Sequence, residues 1–126
     1  MKSRLANAKT SLSRPRRFTE SFECPAGGGG DIELRRFSFH AKNANQVWPG
    51  NRQLMEFLLE HPALYAAPRR VLELGSATGL LALFLTRLGA DVTTSDLEEE
   101  DSLVAGNIEH NFVRNGQPPV VSRPAG

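Results

Sequence analysis

The sequence has a single cysteine, Cys24, among its 126 residues. One cysteine cannot form a disulfide within the chain, and it cannot supply a zinc site built from several thiolates. The histidines His40, His61 and His110 share no spacing with other candidate ligands. We therefore expect no metal site, and the scarcity of cysteine favours a reducing compartment.

Long apolar runs are also missing. The stretch GLLALFL is far shorter than the roughly 18 residues that would span a bilayer, and no apolar run follows the N-terminal charges as it would in a secretory signal. The net charge of +1 gives no overall attraction to nucleic acid or membrane. We expect a cytoplasmic protein. Residues 1–17 contain basic residues and no acid, so a mitochondrial presequence stays open as an alternative.

The first part of the chain predicts a disordered tail followed by a hairpin. Residues 1–17 have the composition of a solvated tail that ends near Pro15. Residues 18–24 and 31–39 read as strands on either side of PAGGGG, so we expect a β-hairpin with a flexible loop.

The rest of the chain alternates between helix and strand patterns. We predict helices over 51–61, 79–89 and 97–116, and strands over 69–74 and 90–96. Residues 117–126 hold only a short possible strand between prolines that discourage pairing. The order strand, helix, strand, helix is typical of a parallel α/β sheet, and we expect a helix on each side of it. Such sheets bind ligands at the carboxyl ends of their strands.

Residues 71–80, VLELGSATGL, carry the first chemical signal. Gly75 ends a strand and Gly79 begins a helix, so the backbone turns tightly where helix N–H groups are exposed. A dinucleotide site would read Gly-x-Gly-x-x-Gly, whereas this loop has Ala77 in the middle and Glu73 just ahead. A carboxylate there repels a pyrophosphate and attracts a cation.

Asp96 carries the second signal. It ends the second strand, where an acid is well placed to accept both hydroxyls of a ribose. The two acids together describe a ligand with a ribose, no pyrophosphate and a positively charged arm. S-adenosylmethionine fits this description, and a nicotinamide dinucleotide fits it less well.

VLELGSATGL followed by ADVTTSD resembles the class I S-adenosylmethionine-dependent methyltransferases. The upstream QVWPGNRQLMEFLLEHP and the later DLEEE and NIEHN narrow the likeness to the branch of protein-lysine methyltransferases and nicotinamide N-methyltransferase-like proteins. The resemblance covers about residues 18–118. It implies a partial Rossmann-like fold, with residues 18–126 as the N-terminal, cofactor-binding part of a methyltransferase domain.

The resemblance also implies roles for single residues, and it identifies no catalytic residue. Glu73 and the loop would hold the methionine end of S-adenosylmethionine, Asp96 the ribose, and Leu97 the adenine, while Trp48 would line the pocket. The implied cofactor-binding residues are Trp48, Glu73, Gly75, Ser76, Ala77, Thr78, Gly79, Asp96 and Leu97.

Each of these residues also has a purely structural interpretation. Glu73 could cap local N–H groups, the glycines could serve an ordinary turn, and Asp96 could be the N-cap of the next helix. Trp48 could be a core aromatic residue. We interpret Asn107 and Asn111, one helical turn apart, as contacts between helix and sheet without chemistry.

Two departures from the resembled family bear on function. Family members commonly have glycine where this chain has Ala77, and alanine is costly there if φ is positive. The family's later strands, which line the acceptor pocket, have no counterpart here, so we expect a truncated form that is inactive by itself. The resemblance leaves the methyl acceptor open between a protein lysine and a small amine. We expect the protein to have no nucleic acid or membrane partner. The alternative is a non-catalytic fragment that binds cofactor or a partner chain through an open sheet edge.

Overall fold

The computed structural model describes residues 16–38, 45–96, 103–118 and 121–124. The predicted mixture of helices and strands is confirmed. In chain order the elements are β1 Arg17–Phe22, β2 Ile32–Phe37, α1 Asn51–Glu60, a 3-10 turn Pro62–Leu64, β3 Arg70–Leu74, α2 Leu80–Arg87, β4 Asp91–Asp96, α3 Leu103–Arg114 and β5 Val121–Pro124. No helix in the described segments is long and apolar enough to cross a membrane.

A parallel sheet holds the two strands whose ends carry the acids. Its order is β3-β4-β5, and Glu73 of β3 lies beside Thr94 of β4. The parallel sheet is therefore confirmed, but it has one strand more than the pattern predicted. β5 pairs with β4 from Val121 to Pro124, so its proline comes at the end of the pairing and the earlier residues are able to form the ladder.

The helices pack against one face of this sheet. Met55 of α1, Leu83 of α2 and Ile108 of α3 belong to a single core cluster, into which Val71 of β3 also packs. Leu72 and Leu74 alternate with Val71 along β3 and point to the other face, where 58% and 75% of their surfaces are exposed. The expectation of a helix on each side is wrong for the described residues.

The N-terminal hairpin is confirmed, with β1 and β2 antiparallel from the pair Arg17 and Phe37 to the pair Phe22 and Ile32. Its first strand begins at Arg17, the last residue of the predicted tail, while residues 1–15 lie outside the described segments. Ile32 and Leu34 are fully buried, so β2 contributes directly to the core.

The glycine-rich loop of the hairpin is docked on α2, which the prediction of a flexible loop missed. Arg87 donates hydrogen bonds to the carbonyl oxygens of Gly29, Gly30 and Asp31. A Cβ at Gly28 would lie 2.8 Å from the ring of Phe84, too close for any other residue to fit without a shift. The glycines thus allow a close approach between loop and helix.

A ladder of asparagines joins α3 to β2. Asn111 accepts from the N–H of Arg35 at 2.7 Å and donates to its carbonyl oxygen at 3.1 Å. Asn115 repeats this pair of bonds with Glu33, at 3.0 and 2.7 Å. Asn107 adds a bond of 2.9 Å to the Arg35 carbonyl. The interpretation of Asn107 and Asn111 as helix–sheet contacts is confirmed, and the strand they contact belongs to the hairpin.

Candidate functional site

The candidate site lies at the carboxyl ends of β3 and β4, where the loop Gly75–Gly79 connects β3 to α2. Ser76 holds this loop against β4 through two hydrogen bonds. Its N–H donates to the Ser95 carbonyl at 2.8 Å, and its hydroxyl accepts from the Ser95 N–H at 3.1 Å. Both serines are buried. The loop is therefore fixed to the neighbouring strand before any ligand is considered.

A second anchor holds the other half of the loop. Thr78 is buried, and its carbonyl oxygen accepts from Asn111 of α3 at 2.9 Å. Gly79 caps α2 with φ +85°, and a Cβ there would lie 3.1 Å from the Ile108 side chain, a contact tight enough to require a small shift. The structure thus gives Gly79 a packing role in addition to its turn.

Ala77 adopts the left-handed conformation, with φ +51° between Gly75 at +67° and Gly79 at +85°. This is the costly case for alanine, since its Cβ crowds the following carbonyl group. The N–H of Ala77 donates to the Asp96 carboxylate at 2.6 Å. A short hydrogen bond to a charged group offsets part of that cost.

Asp96 therefore orients the loop in this structure. It is half-buried at the end of β4, beside the loop rather than out in solvent. A carboxylate offers about four lone-pair positions, so the bond from Ala77 does not exhaust its capacity as an acceptor. Asp96 is thus able to orient the loop and to accept from a ligand as well.

Glu73 is the second acid of the candidate site, and its surroundings are unfavourable for a charged carboxylate. Its side chain is half-buried, and among the described residues its buried Oε1 atom has no hydrogen-bond partner. The pKa of Glu73 is raised to about 7, mainly by burial; a hydrogen bond from Ser76 opposes the rise, and the charge of Asp96 adds to it. A buried carboxyl group without a partner on that oxygen is unfavourable unless a cation or a donor meets it.

No contact in the described residues links the remaining predicted site residues to the loop. Trp48 is 48% exposed, so it is not a core aromatic residue, and its carbonyl oxygen accepts from the N–H of Asn51 where α1 begins. Leu97 lies outside the described residues. The structure thus brings Glu73, the loop and Asp96 together, and the assignments of Trp48 and Leu97 stay predictions.

Sequence reasoning missed the residues that support the loop. Ser95 and Asn111 both hydrogen-bond to it, but neither stands next to it in the chain. The spacing of Asn107, Asn111 and Asn115 at every fourth position signalled a polar stripe on one helix face. Ser95 had no comparable signal. In the described parts of the chain, no three or more residues with metal-binding side chains lie close enough to hold a metal ion.

The sequence of this chain is similar to known proteins. The family model described as lysine methyltransferase matches residues 35–122. Over 70 residues the chain is 37% identical to the protein-lysine methyltransferase METTL21E of Mus musculus, a segment that makes up 55% of this chain and 27% of the mouse protein. The Bos taurus protein of that name is 37% identical over 70 residues, 55% of this chain and 23% of its own.

A human sequence is similar to the same extent. It is named putative methyltransferase-like protein 21E pseudogene, and it is 37% identical over 70 residues, which are 55% of this chain and 24% of the human sequence. The chain thus spans about a quarter of the length of the curated relatives it matches.

Proposed function

Since this chain belongs to the lysine methyltransferase family, we propose that it binds S-adenosylmethionine at the carboxyl ends of β3 and β4 for methyl transfer to a protein lysine. Both the family description and the names of the mouse and cattle relatives refer to lysine. Of the two acceptors that the sequence leaves open, a lysine side chain is therefore the one we propose. No finding points to a nicotinamide-type acceptor.

The observation that carries the proposal is the buried carboxyl oxygen of Glu73, which has no hydrogen-bond partner among the described residues. A cation bound beside it would supply the missing partner and favour the ionised form. S-adenosylmethionine has two positive groups on its methionine end, an ammonium and a sulfonium. A pyrophosphate would instead add negative charge next to Glu73 and Asp96, which disfavours a nicotinamide dinucleotide.

The surrounding residues fit the rest of the molecule. Gly75 has open space where a Cβ would stand, so a ligand is able to approach the backbone there. Asp96 accepts from the N–H of Ala77 at the end of β4. An acid at the end of this strand would accept from the ribose hydroxyls. Glu73 and the loop would hold the methionine end, and Asp96 the ribose.

When bound, S-adenosylmethionine supplies a methyl group made electrophilic by the sulfonium. Glu73 would partner its positive charge, and the loop Gly75–Gly79 would orient the methionine end that carries it. Ser76 and Asn111 keep the loop in place through its backbone, so the site needs little rearrangement on binding. We assign no catalytic base among the described residues, because none of them is shown beside a methyl acceptor.

Calorimetry with S-adenosylmethionine and with NAD tests the proposal. We expect S-adenosylmethionine to bind more tightly, and Glu73→Gln to weaken its binding because the amide removes the negative charge. Asp96→Ala should weaken binding by roughly 1.5–3 kcal/mol, the range for hydrogen bonds to a charged group. Asp91→Asn changes a charge at the other end of β4 and serves as the matched control. Tighter binding of NAD would contradict the proposal.

A second candidate function is that of a non-catalytic fragment that associates with a partner chain. The exposed Leu72 and Leu74 on the uncovered face of β3 favour it. A methyl-transfer assay with the 126-residue chain and lysine-containing proteins separates the two candidates. Cofactor binding without methyl transfer would favour the second.

A further inference from the structure

Basic side chains gather on the outer surface that the hairpin and α3 form together. Arg17 stands opposite Phe37 in the hairpin register, and Arg35 stands opposite Thr19, so the two arginines lie diagonally on the same hairpin face. α3 meets the same strand through its asparagines and carries a histidine and an arginine one turn apart. We call these residues the basic patch: Arg17, Arg35, His110 and Arg114.

Arg35 is held in place at the centre of this patch. Its backbone N–H and carbonyl oxygen are both bonded by Asn111, and its Nε donates to the Oδ1 of Asn107 at 2.8 Å. Asn107 is only 1% exposed, so the arginine side chain is anchored to a buried amide. The two terminal nitrogens of the guanidinium then remain as a fork that matches the two oxygens of a carboxylate.

No acid within the described segments forms an ion pair with the patch. An ion pair in these segments joins Arg36 to Glu20, and both residues lie on the other face of the hairpin. Glu33 and Glu109 are neighbours of the patch in sequence, and neither forms an ion pair with it. Arg17 and Arg114 are exposed, while Arg35 and His110 are half-buried.

The field at the patch is positive. Burial lowers the pKa of His110, and the charges of Arg35, Arg114 and Arg17 lower it further. Burial and the charge of Arg17 also lower the pKa of Arg35. Placing like charges together without counter-charges is unfavourable, so an anion that binds there relieves repulsion as well as forming new ion pairs.

We propose that the basic patch docks an acidic segment of a protein partner. Its permanent charges are those of three arginines, which suits a short run of carboxylates. Nucleic-acid binding at physiological salt depends on neutralising many phosphates, and the net charge of +1 offers little positive charge beyond the patch. None of the patch residues belongs to the cofactor site, so this inference does not depend on the proposed function.

Fluorescence anisotropy with a labelled octaglutamate peptide at low salt tests the inference. We expect binding to the wild-type chain, and about tenfold weaker binding to the double variant Arg17→Glu/Arg114→Glu, since each reversal replaces an attraction by a repulsion. Arg69→Glu/Arg70→Glu makes the same change of charge at exposed arginines near the start of β3 and should alter binding less than about twofold. Equal losses in the two double variants would overturn the inference.

The ring signals of His110 and His61 in NMR provide a readout that needs no variant. A bound acidic peptide should raise the pKa of His110 in the wild-type chain, because it partly cancels the charges of the surrounding arginines. The His61 signal should stay where it is, since His61 follows α1 and bonds to the carbonyl oxygen of Phe57. An unchanged pKa of His110 at saturating peptide would contradict docking at this patch.

A single-stranded oligonucleotide with the same number of charges separates the two kinds of anion. The octaglutamate should bind more tightly than the oligonucleotide. If the oligonucleotide binds more tightly and displaces the peptide, the partner is a nucleic acid and the inference is wrong. If Arg17→Glu/Arg114→Glu does not show the wild-type thermal transition, the single variant Arg114→Gln replaces it. We expect Arg114→Gln to weaken peptide binding too, by a smaller factor.

Discussion

At the scale of single residues, the site depends on a conformation and a charge that are both unfavourable. Ala77 takes a positive φ where glycine would be unstrained, and the Glu73 carboxyl is buried with one oxygen unpartnered among the described residues. Such strain persists where the surrounding structure enforces it, and it is concentrated at functional sites. Here Asp96 and Ser76 enforce it through the loop backbone.

Ala77→Gly should stabilise the folded chain. The left-handed conformation costs a non-glycine residue about 1–2 kcal/mol, and the greater freedom of glycine in the unfolded chain returns about 0.4–1 kcal/mol of that. We expect a net gain of about 0.5–1 kcal/mol in the free energy of unfolding, measured with urea.

The control for this substitution lies in a helix. Ala105→Gly, within α3, should lower the free energy of unfolding by about 1 kcal/mol, because glycine is unfavourable in a helix interior. A loss of stability at Ala77 as large as that at Ala105 would show that the loop does not hold residue 77 at positive φ.

Glu73→Gln should remove a pH dependence of stability. The folded pKa of about 7 exceeds the ordinary value of 4.5, so the protonated group contributes stability that is fully present below 4.5 and is lost as pH rises through 7. Between pH 5.5 and 8.5 the wild-type chain should therefore lose about 2 kcal/mol relative to the variant. Urea unfolding at several pH values measures this, and parallel curves for the two proteins would contradict the burial of the charge.

At the scale of elements, α3 is the part that connects the hairpin to the site. Asn111 bonds to β2 through the backbone of Arg35 and to the loop through the carbonyl oxygen of Thr78. Side-chain amides on a helix thus satisfy a strand edge that pairs with no other described strand. The hairpin and the glycine loop share this support, so damage to it should affect both.

Asn111→Ala should destabilise the chain by roughly 2–4 kcal/mol, since it removes the partner of the Arg35 N–H and of the Thr78 carbonyl oxygen. The Arg35 carbonyl oxygen keeps its bond from Asn107. Faster hydrogen exchange should follow at the N–H groups of Arg35 and of the Gly75–Gly79 loop. Asn115→Ala removes similar bonds near the exposed end of α3 and should cost only about 1 kcal/mol. Equal costs would show that the link to Thr78 adds nothing.

At the scale of the whole molecule, the described sheet is covered on one face and open on the other. Leu72 and Leu74 stand exposed on the open face, and each leucine left in water forgoes about 1.5–3 kcal/mol of burial. That is a large part of the roughly 5–15 kcal/mol that stabilises a typical domain. The uncovered face is therefore a source of weak stability and of association.

The 126-residue chain alone should bind a hydrophobic dye and self-associate in light-scattering or sedimentation measurements. Leu72→Thr/Leu74→Thr should reduce both effects, because threonine suits a strand and exposes less apolar surface. Val113→Thr changes an exposed residue of α3 and should have little influence. A monodisperse monomer of the wild-type chain that binds no dye would contradict this prediction.

The sequence by itself determined the order of the elements up to α3 and the place of the candidate site. The signals that predicted them are local, because each involves only a few neighbouring residues. They are the helical and strand periods after residue 50, the glycines at the end of a strand, and the acids Glu73 and Asp96. Only the tertiary structure decided how these parts meet. The pairing of β5 with β4, the uncovered Leu72 and the bond from Asn111 to Thr78 all depend on residues far apart in the chain. The positive φ of Ala77 belongs with them, because its cost is tolerated only where Asp96, 19 residues later, accepts its N–H.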